Sequence, residues 1–253
     1  MVDLHSHVIW GIDDGSKSRE MTLNMLKLAI RGGTKKIVST PHFLPGHYEN
    51  SIEDIKREIK KVEELIKEEK LDIEVFPGQE VYYTDNILEN YNNNLIGTIN
   101  NSRYMLIEFN MRDFNIEEVI TNLYELQLKG ITPVIAHPER YIRFIKNPSL
   151  INEFIKEGYF FQLNAGSLTG DFGKEVKSLA EKYINSKIYS GFGSDAHRDE
   201  KRTPNMEAFI EGFKDRDYLE KLKSNNECII YNKNIDINSK LFKEKKGIFS
   251  LFR

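Results

Sequence analysis

The chain has 253 residues, of which 40% are hydrophobic and 30% charged, and a formal net charge of −3. That length suits a single β/α barrel, the composition can fill a sizeable core, and the charge carries no global signature for nucleic acid. No run reaches the roughly 18 apolar residues of a membrane span, MVDLHSH lacks the regions of a signal peptide, and the single cysteine, Cys228, excludes an internal disulfide or a thiolate-rich metal site, so a cytoplasmic location is expected.

Taken in chain order, the first strand-like run is Val2–His7, followed by the Gly-flanked loop GIDDG. Lys36–Thr40 is the second strand. Ile52, Ile55, Ile59, Val62 and Ile66 then recur at helical spacing behind a Ser51-x-x-Asp54 cap, which predicts an amphipathic helix with one buried face. Ile73–Phe76 and Tyr104–Phe109 are the next strands. A helix follows in which Asn115-x-x-Glu118 caps a stripe of Ile116, Val119, Leu123 and Leu126, and Gly130 stops it. Pro133–Ala136, Phe160–Asn164 and Ile188–Ser194 complete about seven strand–helix units. This alternation predicts an α/β fold, a distorted parallel β/α barrel in one domain over residues 1–238, with a doubly wound open sheet as the fallback.

Residues 239–253 differ. Lys240, Lys243, Lys245 and Lys246 interleave with Leu241, Phe242, Ile248, Phe249, Leu251 and Phe252. The first reading is a terminal helix with solvated lysines; the second is a tail that docks on a membrane surface or a partner.

The rare residues fall at strand ends. His5 and His7 are two apart on the first strand and so share a face. His42 follows the second strand in STPH, Glu80 the third in FPGQE, and Glu108 closes YMLIEF. His137 closes PVIAH, and Asp195 and His197 close GFGSDAH; only His47 among the histidines stands apart. Either histidine pair alone carries little weight, but in a parallel barrel the C-terminal strand ends converge on one surface, where Asp13 and Asp14 of the GIDDG loop would join them. Imidazole and carboxylate without thiolate suit Mn²⁺, Fe²⁺, Zn²⁺ or Mg²⁺, and the ligands outnumber the needs of one ion, so two or three metals are expected.

Other phosphoester chemistries fit poorly. Cys228 has Asn234, not arginine, six residues on, which excludes a cysteine phosphatase loop. Asp215-Arg216-Asp217 lies in a helical region instead of ending a strand, and no Gly-rich nucleotide loop is present.

The segments MVDLHSHVIWGIDDG, STPH, PGQE, IEF, AHPERY and GSDAH, in this order, resemble the polymerase and histidinol phosphatase (PHP) superfamily. More narrowly they are similar to the bacterial manganese-dependent tyrosine-protein phosphatases of capsular and exopolysaccharide loci, the CpsB/CapC/YwqE type. The resemblance implies metal binding by His5, His7, Asp14, His42, Glu80, Glu108, His137, Asp195 and His197, a trinuclear site, and phosphate contacts from Arg140 in HPER and Arg202 in KRTP, with Arg198 and Lys201 as alternatives to Arg202. It implies a phosphotyrosine-bearing bacterial tyrosine kinase as substrate; the scattered charge leaves no nucleic acid expected as partner, and the basic tail is a candidate peripheral membrane or kinase contact.

The expected mechanism is in-line attack by a hydroxide bridging two ions. Glu80 is the expected bridge, with His5, His7 and Asp195 on one ion, Glu108 and His137 on the second, and Asp14, His42 and His197 on the third. His42 is also a candidate proton donor. Phe43, Tyr48, Tyr82 and Tyr83 either pack the barrel mouth or hold a tyrosyl ring. The rival readings are a small-molecule phosphatase of the histidinol-phosphate type, an exonuclease-like module, for which a basic groove and aromatic platforms are missing, and a non-catalytic metal protein.

Overall fold

In the computed structural model of the chain, residues 1–235 and 240–244 are described. Their strands are β1 (Val2–Ser6), β2 (Lys36–Ser39), β3 (His42–Leu44), β4 (Tyr48–Glu49), β5 (Glu74–Pro77), β6 (Glu80–Tyr82), β7 (Tyr104–Glu108), β8 (Thr132–Ala136), β9 (Phe160–Asn164) and β10 (Gly191–Gly193). One parallel sheet runs β1-β2-β5; a second runs β10-β9-β8-β7-β6-β3 in parallel, with β4 turned back antiparallel on β3.

The two sheets are one barrel with two broken staves. β2 continues into β3 across Thr40-Pro41, and β5 into β6 across Gly78-Gln79. Pro41 has no N–H to offer the ladder, yet Thr40 N–H still donates to the Ser6 carbonyl and Glu80 N–H to the Thr40 carbonyl, so the neighbours stay in step. At the second break a Cβ on Gly78 would lie 2.9 Å from Val38 Cγ1, so only glycine admits this approach. With these joins the staves are β1, β2/β3, β5/β6, β7, β8, β9 and β10, and the circle closes where Asp195 N–H donates to the His5 carbonyl and His7 N–H to the Ala196 carbonyl. The predicted parallel barrel is the fold.

Helices α1 (Arg19–Arg31), α2 (Ile52–Glu68), α3 (Ile87–Asn92), α4 (Ile116–Leu128), α5 (Ile142–Lys146), α6 (Ile151–Lys156), α7 (Ala165–Thr169), α8 (Lys174–Asn185), α9 (Glu207–Gly212) and α10 (Arg216–Ile230) join the strands. The capping box expected at Ser51 is formed, with Asp54 N–H on Ser51 Oγ and Ser51 N–H on the Asp54 carboxylate. Asn115 caps α4 at the amides of Glu117 and Glu118.

The strands supply an apolar layer, Val2, Leu4, Val38, Tyr104, Leu106, Val134, Ala136 and Phe160, closed by Ile229 and Ile230 of α10. Polar residues follow this layer toward the C-terminal strand ends: Leu106 is succeeded on its face by Glu108, and Phe160 by Gln162.

Three local expectations change. The last strand is only Gly191–Gly193 within the predicted Ile188–Ser194, because the Ser190 and Phe192 backbone is partly bonded to side chains of Asn225 and Asn226. β3, β4 and β6 were not anticipated. Residues 240–244 are not helical: Phe242 is buried against Tyr183, with its N–H donated to Asn152. Residues 236–239 and 245–253, including Lys245, Lys246, Ile248, Phe249, Leu251 and Phe252 of the predicted tail, lie outside the described residues. No helix among those described is long and apolar enough to cross a membrane.

Candidate metal centre

Strand ends bring the expected residues to one place. His5 comes from β1 and His7 lies just past it, His42 and Glu80 open β3 and β6, Glu108 ends β7, His137 follows β8, and Asp195 and His197 follow β10. Glu80 Oε2 is the common point, with His5 Nε2 at 3.2 Å, His7 Nε2 at 3.3 Å and His42 Nδ1 at 3.2 Å. Asp195 Oδ1 lies 3.5 Å from His5 Nε2 and 3.6 Å from His7 Nε2. On the other side, His137 Nε2 is 2.9 Å from Glu80 Oε1 and 3.6 Å from Glu108 Oε1. Asp14 Oδ1 meets His197 Nε2 at 3.3 Å and His42 Nε2 at 3.5 Å.

Three overlapping groups have ligand atoms within 4.8 Å of one another: His5, His7, Glu80 and Asp195; His7, Asp14, His42 and His197; and His42, Glu80 and Glu108. The first holds the four residues expected on one ion. The others differ from the expectation: His42 borders both, His7 reaches the group around Asp14, and beside Glu80 and Glu108 it is His42, not the expected His137, that completes the group.

Several rings are aimed by their other nitrogen. His7 Nδ1 donates to Asp13 at 2.7 Å, His5 Nδ1 to Gln162 Oε1 at 3.0 Å, and His197 Nδ1 to the Asp195 carbonyl at 3.0 Å. Each contact leaves Nε2 and its lone pair facing the cluster, as a metal ligand requires. Asp13 also accepts from the amides of Gly15 and His42, so it is committed to holding the loop and His7, and Asp14 is the carboxylate that faces the cluster.

The arginines separate in the same way. Arg140 Nη1 lies 2.7 Å from Asp195 Oδ2 and Arg202 Nη2 lies 2.6 Å from Asp195 Oδ1. Arg198 is instead spent on the carbonyls of Asp14, Gly15 and His197, and Lys201 is exposed. Arg202, Asp195 and His137 all adopt positive φ, at 52°, 52° and 32°. Such backbone costs about 1–3 kcal/mol per residue and tends to cluster at functional sites.

The charges show what the cluster lacks. Asp14, Glu80, Glu108 and Asp195 converge, and among the described residues Arg140 and Arg202 are the permanent cations paired with these carboxylates, both at Asp195; buried carboxylates without compensation are costly. Burial first, then Glu80 and Asp195, push the Glu108 carboxyl well above its usual range. Burial, then Arg140, lowers His137 to about 4; burial, then His7, lowers His197 to about 4. For His5 and His7 burial works against the proton, but Glu80 and Asp195 at His5, and Asp13 and Glu80 at His7, outweigh it and raise both. Asp14 Oδ1, His42 Nδ1 and His137 Nδ1 are buried with no hydrogen-bond partner. Divalent cations suited to N and O donors fit this set, since they would satisfy Asp14 Oδ1 and the excess negative charge together.

A cleft of about 290 Å³ opens onto the cluster and is lined by Leu44, Tyr48, Tyr82, Met111, Arg140 and Arg202 beside the ligand candidates. Of the four aromatic residues expected near the rim, Tyr48 and Tyr82 line this cleft. Phe43 is buried in the core, and Tyr83 packs edge-on against Phe109 with its hydroxyl bonded to Asn122. His47 is exposed in the turn between β3 and β4. Gln162, Asn164, which donates to Asp195 Oδ2, and Phe172, which lies under Arg140, had not been singled out.

The family described as "Capsular polysaccharide synthesis, CpsB/CapC" matches residues 1–232. The CapC protein of Staphylococcus aureus is 36% identical over 97% of this chain and 98% of its own length. The tyrosine-protein phosphatase CpsB of Streptococcus pneumoniae is 36% identical over 82% of this chain and 87% of its own. YwqE from Bacillus subtilis and CpsB from Streptococcus pneumoniae were solved together as metal-dependent tyrosine phosphatases, and a chain from that work superposes with a TM-score of 0.92 at 27% identity, covering 97% of this chain and 100% of that one.

Proposed function

Because the chain belongs to the CpsB/CapC family of capsular polysaccharide synthesis proteins, we propose that it is a metal-dependent protein-tyrosine phosphatase. The observation that carries this reading is the joint placement of three adjoining ligand groups around Glu80 and two arginines on Asp195, all at one cleft. His5, His7, Glu80 and Asp195 would hold one metal, Glu80 with Glu108 and His137 a second, and Asp14, His42 and His197 a third, with Mn²⁺ the first choice. When bound, such ions make a nucleophile available near neutral pH and offset the charge on phosphate oxygens.

The residues of the chain supply the rest. Each guanidinium keeps donors after its bond to Asp195, and Arg202 Nε is buried beside the cleft with no partner, a donor suited to an equatorial phosphate oxygen. Asp195 holds both arginines, so one residue sets the spacing between ligand cluster and phosphate clamp. Tyr48, Tyr82, Leu44 and Met111 give the cleft apolar sides for a phenyl ring. Burial lowers the pKa of His42, which favours its service as a ligand, and phenolate is a good enough leaving group to need little acid help. The substrate is a phosphotyrosine-bearing protein of capsule or exopolysaccharide synthesis, a bacterial tyrosine kinase first among them, and the reaction belongs in the cytoplasm, where Cys228 stays a thiol.

The test uses metal-stripped protein with Mn²⁺ restored, assayed on a phosphotyrosine peptide and on histidinol phosphate, with His5→Ala beside it. The expected outcome is hydrolysis of the peptide that returns with Mn²⁺ and is lost in the variant. Preference for histidinol phosphate would overturn the protein substrate, and absence of metal-dependent hydrolysis would overturn the enzyme.

A further inference from the structure

Next to the metal cleft lies a second cavity of about 660 Å³, and Arg202 lines both. Phe172 lines the second, and its ring carries the guanidinium of Arg140 at 4.3 Å and that of Arg202 at 5.8 Å. The ring is fixed there by a close approach: a Cβ on Gly166 would lie 3.0 Å from Phe172 Cε2 and 2.9 Å from Asp171 Oδ2, so glycine at the start of α7 is what lets the loop close. Met206 and Phe209 back the wall from the core, where both are buried, and the exposed Ala208 and Thr169, with Thr203, add methyl groups and hydroxyls.

The half-buried ring of Phe172 and the methyl groups favour a flat apolar guest such as an aromatic ring, and the hydroxyls can meet its polar edge. The cleft of about 290 Å³ accommodates a phosphorylated tyrosyl side chain but little of the chain flanking it. In an extended peptide, side chains two residues apart stand on one face roughly 7 Å apart. A cavity one guanidinium away from the phosphate clamp is within reach of such a neighbour. A small phosphate ester would leave it unused.

We propose that this cavity is a specificity subsite that takes an aromatic side chain lying within two positions of the phosphotyrosine. The inference rests on the phosphatase reading above and extends it to the sequence around the scissile group.

The test is steady-state kinetics of the Mn²⁺-loaded full chain on 4-nitrophenyl phosphate and on a phosphotyrosine peptide in which phenylalanine is scanned, against glycine, through the two positions on each side. Ala208→Trp and Thr169→Trp, two exposed positions on the cavity wall, fill it from different elements. At one or more positions phenylalanine should lower KM by about tenfold, the scale of an apolar group gaining a pocket. Both variants should erase that gain and leave kcat and the kinetics on 4-nitrophenyl phosphate unchanged. A flat scan in the wild type, a gain that survives both variants, or an equal loss on the small ester would overturn the subsite while leaving the phosphatase intact. Failure to hydrolyse any ester would overturn the phosphatase reading, and the subsite with it.

Discussion

Asp13 and Gln162 hold two central imidazoles without being among the expected ligands. Asp13 fixes His7 and Gln162 fixes His5, and the Gln162 amide is itself anchored by donation to the Leu163 carbonyl at 2.6 Å. Replacing Gln162 with leucine keeps the volume and removes the acceptor, so metal affinity should fall by about 10- to 100-fold, the usual effect of such outer contacts; a metal titration of the stripped protein reads it. The protons on the cluster set a second expectation. His5, His7 and Glu108 all have raised pKa values in the metal-free protein. A group raised in the folded state contributes stability below its unfolded value, about 6.5 for histidine, and that contribution fades as pH rises through the folded value. Bound metal displaces these protons, so the gain in Tm on adding Mn²⁺ should grow between pH 6.5 and 8; a gain that shrinks over that range would contradict the assignment. Most of the ligand candidates were legible because a histidine or carboxylate stands on or just past a strand-like run, and Asp14, in the GIDDG loop, was legible only beside them. Gln162 was not, because within FFQLN it is one polar residue in a strand, and the residue it orients is 157 positions away.

Elements with local signals were read more easily than elements made by long-range pairing. α2 and α4 carry their own caps and apolar stripes, whereas β3 and β6 begin at Pro41-His42 and Gly78-Gln79-Glu80, where proline and glycine read as loop and only the neighbouring staves make the segments strands. The same feature makes them useful: the breaks admit His42 and Glu80 to the cluster where an unbroken stave would keep running. α2 offers a test independent of the site. Ser51→Ala removes the acceptor for Asp54 N–H and should cost about 1 kcal/mol in chemical unfolding, with metal affinity unchanged. The Asp54 carboxylate, held below its usual range first by the Ser51 side chain and then by its backbone, contributes stability that is present above its unfolded pKa and lost as pH falls through the folded one. The cost of Ser51→Ala should therefore shrink toward acid pH.

At the scale of the whole barrel, the site depends on how the circle closes. Backbone bonds join β1 to the chain after β10 at His5, His7, Asp195 and Ala196, and the Asp3 carboxylate of β1 accepts from Ser194 N–H and Oγ beside them. Further down, the side chain of Asn226 on α10 replaces the ladder: its Nδ2 donates to the carbonyls of Val2 and Phe192, both at 2.9 Å, and its Oδ1 accepts from Phe192 N–H at 3.2 Å. Gly191 and Gly193 are what this seam tolerates, since a Cβ would lie 2.5 Å from Asn226 Oδ1 at the first and 2.5 Å from His5 Cβ at the second. His5 stands on one side of the seam and Asp195 on the other, so the helix that closes the barrel also sets the distance between two ligand candidates of one group. Asn226→Leu leaves buried backbone groups unpaired at about 1–3 kcal/mol each, and it should lower both Tm and metal affinity. Ser51→Ala should lower stability alone, so the two variants compared at matched loss of Tm separate the seam from stability in general. If Asn226→Leu binds Mn²⁺ as tightly as the wild type despite its lower Tm, the seam does not set the ligand geometry.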